Sequence, residues 1–137
     1  MTTSVTRASL DAPATVLDAA ALARLRELDP DGRAGVLPHV LRTFDQSLVK
    51  TLAALRQAAE PCDLAELRRL AHTLKSSSAS IGAMELSAAC ARLETLARDQ
   101  HSVQIAPALV QLLTAGAQAQ VAVSTHLASS ETSPRLG

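Results

Sequence analysis

Residues 71–94 read AHTLKSSSASIGAMELSAACARLE, and the period of their apolar positions decides the fold. Around the first half of this stretch Leu67, Leu70, Ala71, Leu74, Ser78 and Ile81 return every three or four positions, which gathers them on one side of a helix. The same spacing resumes after Met84 with Leu86, Ala89, Cys90, Leu93 and then Leu96 or Ala97. Only the tight SIGA link separates the two runs, and Gly82 is suited to the left-handed turn that ends the first. Helices joined so closely are antiparallel neighbours. At about 100° per residue, His72 lies about 200° from both Leu70 and Leu74 and faces water. Arg68, Arg69, Lys75, Ser76 and Ala79 share that outward face.

The helical period continues on both sides of this hairpin. Upstream, Asp63 can cap the His72 helix while Glu66 reaches back to it, a capping box. Before Pro61, a long stripe of Val40, Leu41, Phe44, Leu48, Leu52, Leu55 and Ala59 predicts a helix that starts near Gly35 or Val36, with Pro38 in its first turn and Phe44 as its main core anchor. A shorter pattern, Leu17, Leu22, Leu25 and Leu28, can be capped by Asp18 and stapled by Leu17 and Leu22 before the DPDG stop at 29–32. It reads as a lid on one end of the bundle. Downstream, a helix is expected from near Ile105, with Pro107 in its first turn, through Leu109, Leu112, Leu113, Val123 and Leu127. Gly116 inside it costs about 1 kcal/mol relative to alanine, so either a neighbouring helix approaches closely there or the helix is weakened. The expected architecture is all-α: an antiparallel up-down four-helix bundle with a short additional N-terminal helix, spanning 16–127 between disordered tails at 1–15 and 128–137.

Composition removes several function classes. The chain is 47% hydrophobic but 1% aromatic, Phe44 alone, which favours helices over strands. Its 13 basic and 13 acidic residues cancel, and the rings that would stack bases are missing, so nothing supports nucleic-acid binding. Cys62 and Cys90 form no CxxC pair and read as free thiols in a reducing cytoplasm. The opening residues lack a basic start followed by an apolar core, and no run of roughly 20 apolar residues is evident, so a cytoplasmic protein without membrane insertion is expected. The five glycines make no phosphate loop. His39, His72, His101 and His126 are scattered without paired carboxylates, so no metal site is expected. A monomer with no bound cofactor is the expectation.

What remains is the chemistry of His72. A Ser–His or Cys–His nucleophile needs a histidine in a cleft beside an orienting acid, whereas His72 is read as pointing to water among basic residues. That setting suits an imidazole that itself accepts a group. Its neutral ring nitrogen attacks phosphorus near neutral pH, and cations nearby favour the neutral form and then stabilise phosphoryl oxygens. Lys75, one turn along, is placed to do this. Spacing alone would equally describe a solvated helix face.

The wider stretch resembles the histidine-containing phosphotransfer domain of multistep two-component phosphorelays, whose pattern is close to H-x-L-K-G-S-(A/S)-x-x-(L/I/V)-G-A followed by L-x-x-x-(C/A)-x-x-L-E. The matching residues are His72, Leu74, Lys75, Ser77, Ser78, Ile81, Gly82, Ala83, Leu86, Cys90, Leu93 and Glu94. Looser similarity, through LDAAALARLREL, Phe44 and CDLAELRRLAH, extends the likeness over about 17 to 100. The resemblance implies that His72 is phosphorylated through an exposed Nε2, that Lys75 stabilises the phosphoryl group, and that Ser76 and Ala79 keep the surface low for a partner. Arg68 and Arg69 are either docking contacts or a solvated face, while Ser77 and Ser78 read as small packing residues. Ser76 departs from the family's usual glycine; its hydroxyl either bonds the phosphoryl oxygens or turns back to the His72 carbonyl.

The implied partner is the receiver domain of a response regulator or hybrid sensor histidine kinase, which supplies the aspartyl phosphate and Mg²⁺. The chain itself would be a phosphoryl carrier without an ATP site, not an enzyme. An alternative of another class is a phosphorylation-silent bundle that docks a receiver or sensor kinase and inhibits it.

Overall fold

Caps and one glycine set the element boundaries. The computed structural model describes residues 16–132, so the expected tail at 1–15 and the residues 133–137 lie outside the described residues. Asp18 accepts a hydrogen bond from the Ala21 N–H (3.2 Å) and starts helix α1, Ala19–Glu27, with Leu17 and Leu22 buried as the staple. Asp29 of the DPDG stretch then accepts from the Ala34 and Val36 N–H groups, both at 3.2 Å, at the start of α2, Val36–Ala59.

The end of α2 corrects one expectation. Cys62 adopts a left-handed conformation (φ 53°), and the Asp63 N–H donates to the Ala58 carbonyl at 2.9 Å. The Asp63 carboxylate does cap α3, Leu64–Ser80, by accepting from the Glu66 N–H at 3.2 Å. Glu66 does not reach back, because the backbone donor it would satisfy is already taken; its carboxylate pairs with Arg69 instead.

Helix α4, Met84–Arg98, follows a link in which Gly82 has φ 84°. The last helix, α5, runs from Ser102 to Thr132, so it begins before Ile105 and continues past the expected boundary at 127. Pro107 therefore sits beyond the first turn. The carbonyl that loses its donor is that of Val103, which is 90% exposed, so water can serve it. By length and composition Ser102–Ser129 could also cross a membrane, contrary to the sequence expectation, but Ile105, Ala108, Leu112, Ala119 and Val123 point inward and fill the core.

Helices α2, α3, α4 and α5 pack in succession and α5 closes on α2, with α3 on α4 the most extensive pairing. The described residues contain helices and no strands. The core is largely leucine, with Leu41, Leu48, Leu55, Leu67, Leu86, Leu93 and Leu112 fully buried beside Phe44. Each contributes about 1.5–3 kcal/mol by leaving water. A Cβ on Gly116 would come within 3.0 Å of the Leu52 methyls, so α2 and α5 do approach closely there.

Gly82 joins the hairpin to α1. Its carbonyl accepts from the Asp18 N–H at 2.8 Å, and a Cβ on it would lie 2.7 Å from the Asp18 nitrogen and 2.9 Å from its oxygen. Gly82→Ala should lower the melting temperature, through about 1–2 kcal/mol of left-handed strain and the clash that lifts α1 off the link. An unchanged melting curve would contradict this. Ser78 has the opposite sign: its Oγ is buried without a hydrogen-bond partner, so Ser78→Ala should stabilise the fold by on the order of 1 kcal/mol in denaturant melts.

Candidate functional site

Helix α3 carries His72 outward as its period requires, and the side chain is 64% exposed. Across the hairpin, α4 supplies what its own helix lacks. Glu94 places Oε2 2.8 Å from His72 Nδ1 and accepts from Lys75 Nζ through Oε1 at 2.7 Å. One carboxylate thus binds two side chains of α3 that lie one turn apart. Farther along, Ser87 of α4 donates to the Lys75 carbonyl at 3.0 Å, pinning the two helices at a second level.

The carboxylate fixes the state of the imidazole. Lys75 holds the Glu94 carboxyl below the usual carboxylate range; burial works against this, and the His72 hydrogen bond adds to it. An ionised carboxylate only accepts hydrogen bonds, so Nδ1 must carry the proton and donate. In the neutral ring Nε2 then keeps its lone pair and points away from Glu94 toward solvent. The orienting acid that sequence reasoning did not assign to His72 is therefore present, on the neighbouring helix. The available signal was positional: His72 stands ten residues before Gly82 and Glu94 twelve after it, nearly level on the two arms of a tight hairpin.

A shallow cleft of about 340 Å³ lies beside the ring, lined by Ala65, Arg68, Arg69, His72, Thr73 and Glu94. It brings both arginines singled out in the sequence to the His72 side. They are not equivalent, because Arg69 is paired with Glu66 through bonds of 2.9 and 2.6 Å. Ser76 is exposed and its hydroxyl bonds no described residue, so of its two readings the turn back to the His72 carbonyl is not made. Ser77 makes such a turn, donating to the Leu74 carbonyl at 3.3 Å. Ala79 is half-buried two turns beyond His72, leaving that part of α3 low. On the other flank of α3, His39, Val40, Phe44, Ser77, Ser80 and Ile81 help line a groove of about 440 Å³ between α2 and α3.

Other nucleophiles and metal sites are poorly served. Burial pushes the Cys90 thiol up to about 12, so it stays protonated. No group of three or more histidine, cysteine or acidic side chains is arranged to hold a metal among the described residues.

Comparison with known proteins matches residues 39–123 to the Hpt domain. The chain also superposes on the crystal structure of histidine-containing phosphotransfer protein B (HptB) from Pseudomonas aeruginosa PAO1, with a TM-score of 0.75 and 27% sequence identity over 83% of this chain and 96% of that one. No curated protein matches the chain.

The geometry makes the ring tautomer measurable. Nitrogen NMR near neutral pH should show His72 protonated on Nδ1 in the neutral form, and Glu94→Ala should shift the population toward Nε2–H. The same tautomer spectrum in both proteins would show that Glu94 does not set it. Because the folded-state pKa of Glu94 is depressed, its stabilising contribution is present above the ordinary carboxylate pKa and is lost as pH falls through the lower folded value. Glu94→Gln should therefore flatten the acid limb of a stability-versus-pH curve.

Proposed function

Because this chain belongs to the Hpt domain family, we propose that it is a phosphoryl carrier in two-component signalling, taking the group on His72 from a receiver aspartate and passing it to another receiver. The observation that carries this reading is the Glu94 hydrogen bond to Nδ1, which in the neutral ring leaves the lone pair on Nε2 of an exposed side chain.

The step balances without an ATP site. The Nε2 lone pair forms the P–N bond as the bond between phosphorus and the partner's aspartyl oxygen breaks, and the carboxylate departs. The transition state is loose, so positioning and charge stabilisation do most of the work. The receiver supplies Mg²⁺ at its acyl phosphate. Phosphorylation leaves the ring as an imidazolium whose Nδ1 proton rests on the Glu94 carboxylate. That proton also serves the reverse transfer: with it, the ring departs as neutral imidazole, and without it the leaving group would be an imidazolate.

Lys75 has a part at both ends. In the resting structure its ammonium is bound to Glu94 at 2.7 Å and half-exposed, one turn from the imidazole. It can turn from the carboxylate to a phosphoryl oxygen once that charge arrives. The Ser76 hydroxyl is free to donate to the same oxygens where the family's usual glycine could not. Arg68 borders the approach to His72, Ala79 keeps α3 low two turns on, and the groove along α2 and α3 gives a receiver further surface; Arg69, held by Glu66, contributes less.

A phosphorylated receiver should label the protein with an acid-labile, base-stable phosphate, and His72→Gln should abolish the label without unfolding the bundle. Lys75→Ala should slow transfer on the order of tenfold or more, the scale of one charge-assisted hydrogen bond. Glu94→Gln should slow it too, since an amide can donate to Nδ1 and move the ring proton to Nε2. A label that survives His72→Gln would refute the assignment. A His72→Gln protein that binds and inhibits a receiver as the parent does, with no labelling of either, would support the docking-module alternative instead.

A further inference from the structure

We propose that Arg68 is a further phosphoryl-binding residue, whose guanidinium holds the group on His72 Nε2 from the side of the ring opposite Lys75; this rests on the phosphotransfer role proposed above. Arg68 stands four residues before His72 on α3 and Lys75 three after it, so the two cations flank the imidazole, one turn away on either side. Side chains of a helix lean toward its N-terminus, so the His72 ring lies over the turn that carries Arg68. Both residues line the shallow cleft of about 340 Å³ beside the ring.

The cations around the ring differ in what they already hold. Arg69 binds Glu66 through two bonds of 2.9 and 2.6 Å, Lys75 binds Glu94 at 2.7 Å, and Arg98, one turn beyond Glu94 on α4, binds Asp99 at 3.1 Å. Arg68 is exposed and bonds no described residue. Its own helix explains why. The positions three and four residues from it on α3 are Leu64, Ala65, Ala71 and His72, none of them acidic, whereas Arg69 has Glu66 three residues before it. Across the hairpin, both oxygens of the Glu94 carboxylate are taken by His72 and Lys75.

A guanidinium without a partner gives nothing up when an anion arrives beside it. The phosphoryl group on Nε2 presents three strong acceptor oxygens, and the planar fork of an arginine can donate to two of them at once. Lys75 comes from the C-terminal side, but its ammonium is shared with Glu94, whose carboxylate keeps the Nδ1 proton in place. A second cation on the N-terminal side therefore meets phosphoryl charge without drawing Lys75 wholly off that carboxylate. Arg69 lines the same cleft and would have to leave Glu66 to do as much.

Phosphoramidate tests this without a receiver: its P–N bond breaks as the Nε2–P bond forms, and ammonia leaves. On the full chain labelled in this way, phosphorus NMR should show the phosphoryl group losing its last proton at a pH lower by a few tenths of a unit in the parent than in Arg68→Gln, because a cation in contact favours the dianion. Arg68→Lys should recover part of that shift, since the charge returns without the fork. Glu66→Gln with Arg69→Gln removes a neutral pair from the same cleft and should leave the titration as in the parent. Equal titration of the parent and Arg68→Gln would overturn the proposal, and slower labelling of that variant by a phosphorylated receiver would then make Arg68 a docking contact instead. A Glu66 and Arg69 double variant that shifts as far as Arg68→Gln would also overturn it, by showing a diffuse field and no contact. So would phosphoramidate that leaves His72 unlabelled. A receiver that fails to label His72 where phosphoramidate succeeds strikes the carrier reading alone, so the two failures are read separately.

Discussion

The link through Gly82 brings α3 and α4 together so closely that one carboxylate on α4 reaches two side chains a turn apart on α3. That reach sets a strict requirement on register. A shift of one residue along α4 would rotate Glu94 by about 100° away from His72, and the imidazole would be left to choose its own tautomer. The register is held by the leucines between the helices, by the Ser87 bond to the Lys75 carbonyl, and by the left-handed turn at Gly82, which also receives α1 through the Asp18 N–H. Stability and chemistry therefore share their most sensitive positions in this hairpin.

The electrostatics of the site favour an unreacted ring that is ready to react. Glu94 is half-buried, and a carboxylate partly withdrawn from water without partners would be costly. Lys75 and the Nδ1–H of His72 answer that cost, and in doing so they fix both groups in place before any partner arrives. In the proposed transfer, arrival of a phosphoryl group at Nε2 would change the balance. The ring would gain positive charge next to Glu94, while Lys75 would gain a second anion to bind. The proposed carrier role would thus rest on three side chains on two packed helices, in keeping with chemistry that depends more on placement than on activated groups.

The two diagonally opposed faces of the bundle differ in kind. On α3 the surface mixes cations, an acid and small hydroxyl residues around a nucleophile, and suits a partner that binds and leaves. On α5 it carries no Asp, Glu, Lys or Arg from 102 to 130 and mixes valine and alanine with glutamine, serine and threonine.

Helix number, order and burial were legible in the sequence because they follow from local spacing: the leucines at three- and four-residue intervals, the caps at Asp18 and Asp63, and Gly82 at the turn all act within a few residues of themselves. The outward direction of His72 was legible for the same reason. Three things were not. The fate of Glu66 depended on a carbonyl of the preceding helix, Ala58, that had already taken the donor it was expected to satisfy. The start of α5 depended on the exposure of Val103, whose carbonyl could do without the donor that Pro107 lacks. Most of all, the acid that orients His72 lies 22 residues away in sequence. Period and propensity say which way a side chain leaves its own helix, but only the packing of α4 against α3 decides which side chain it meets, and so where the imidazole keeps its proton.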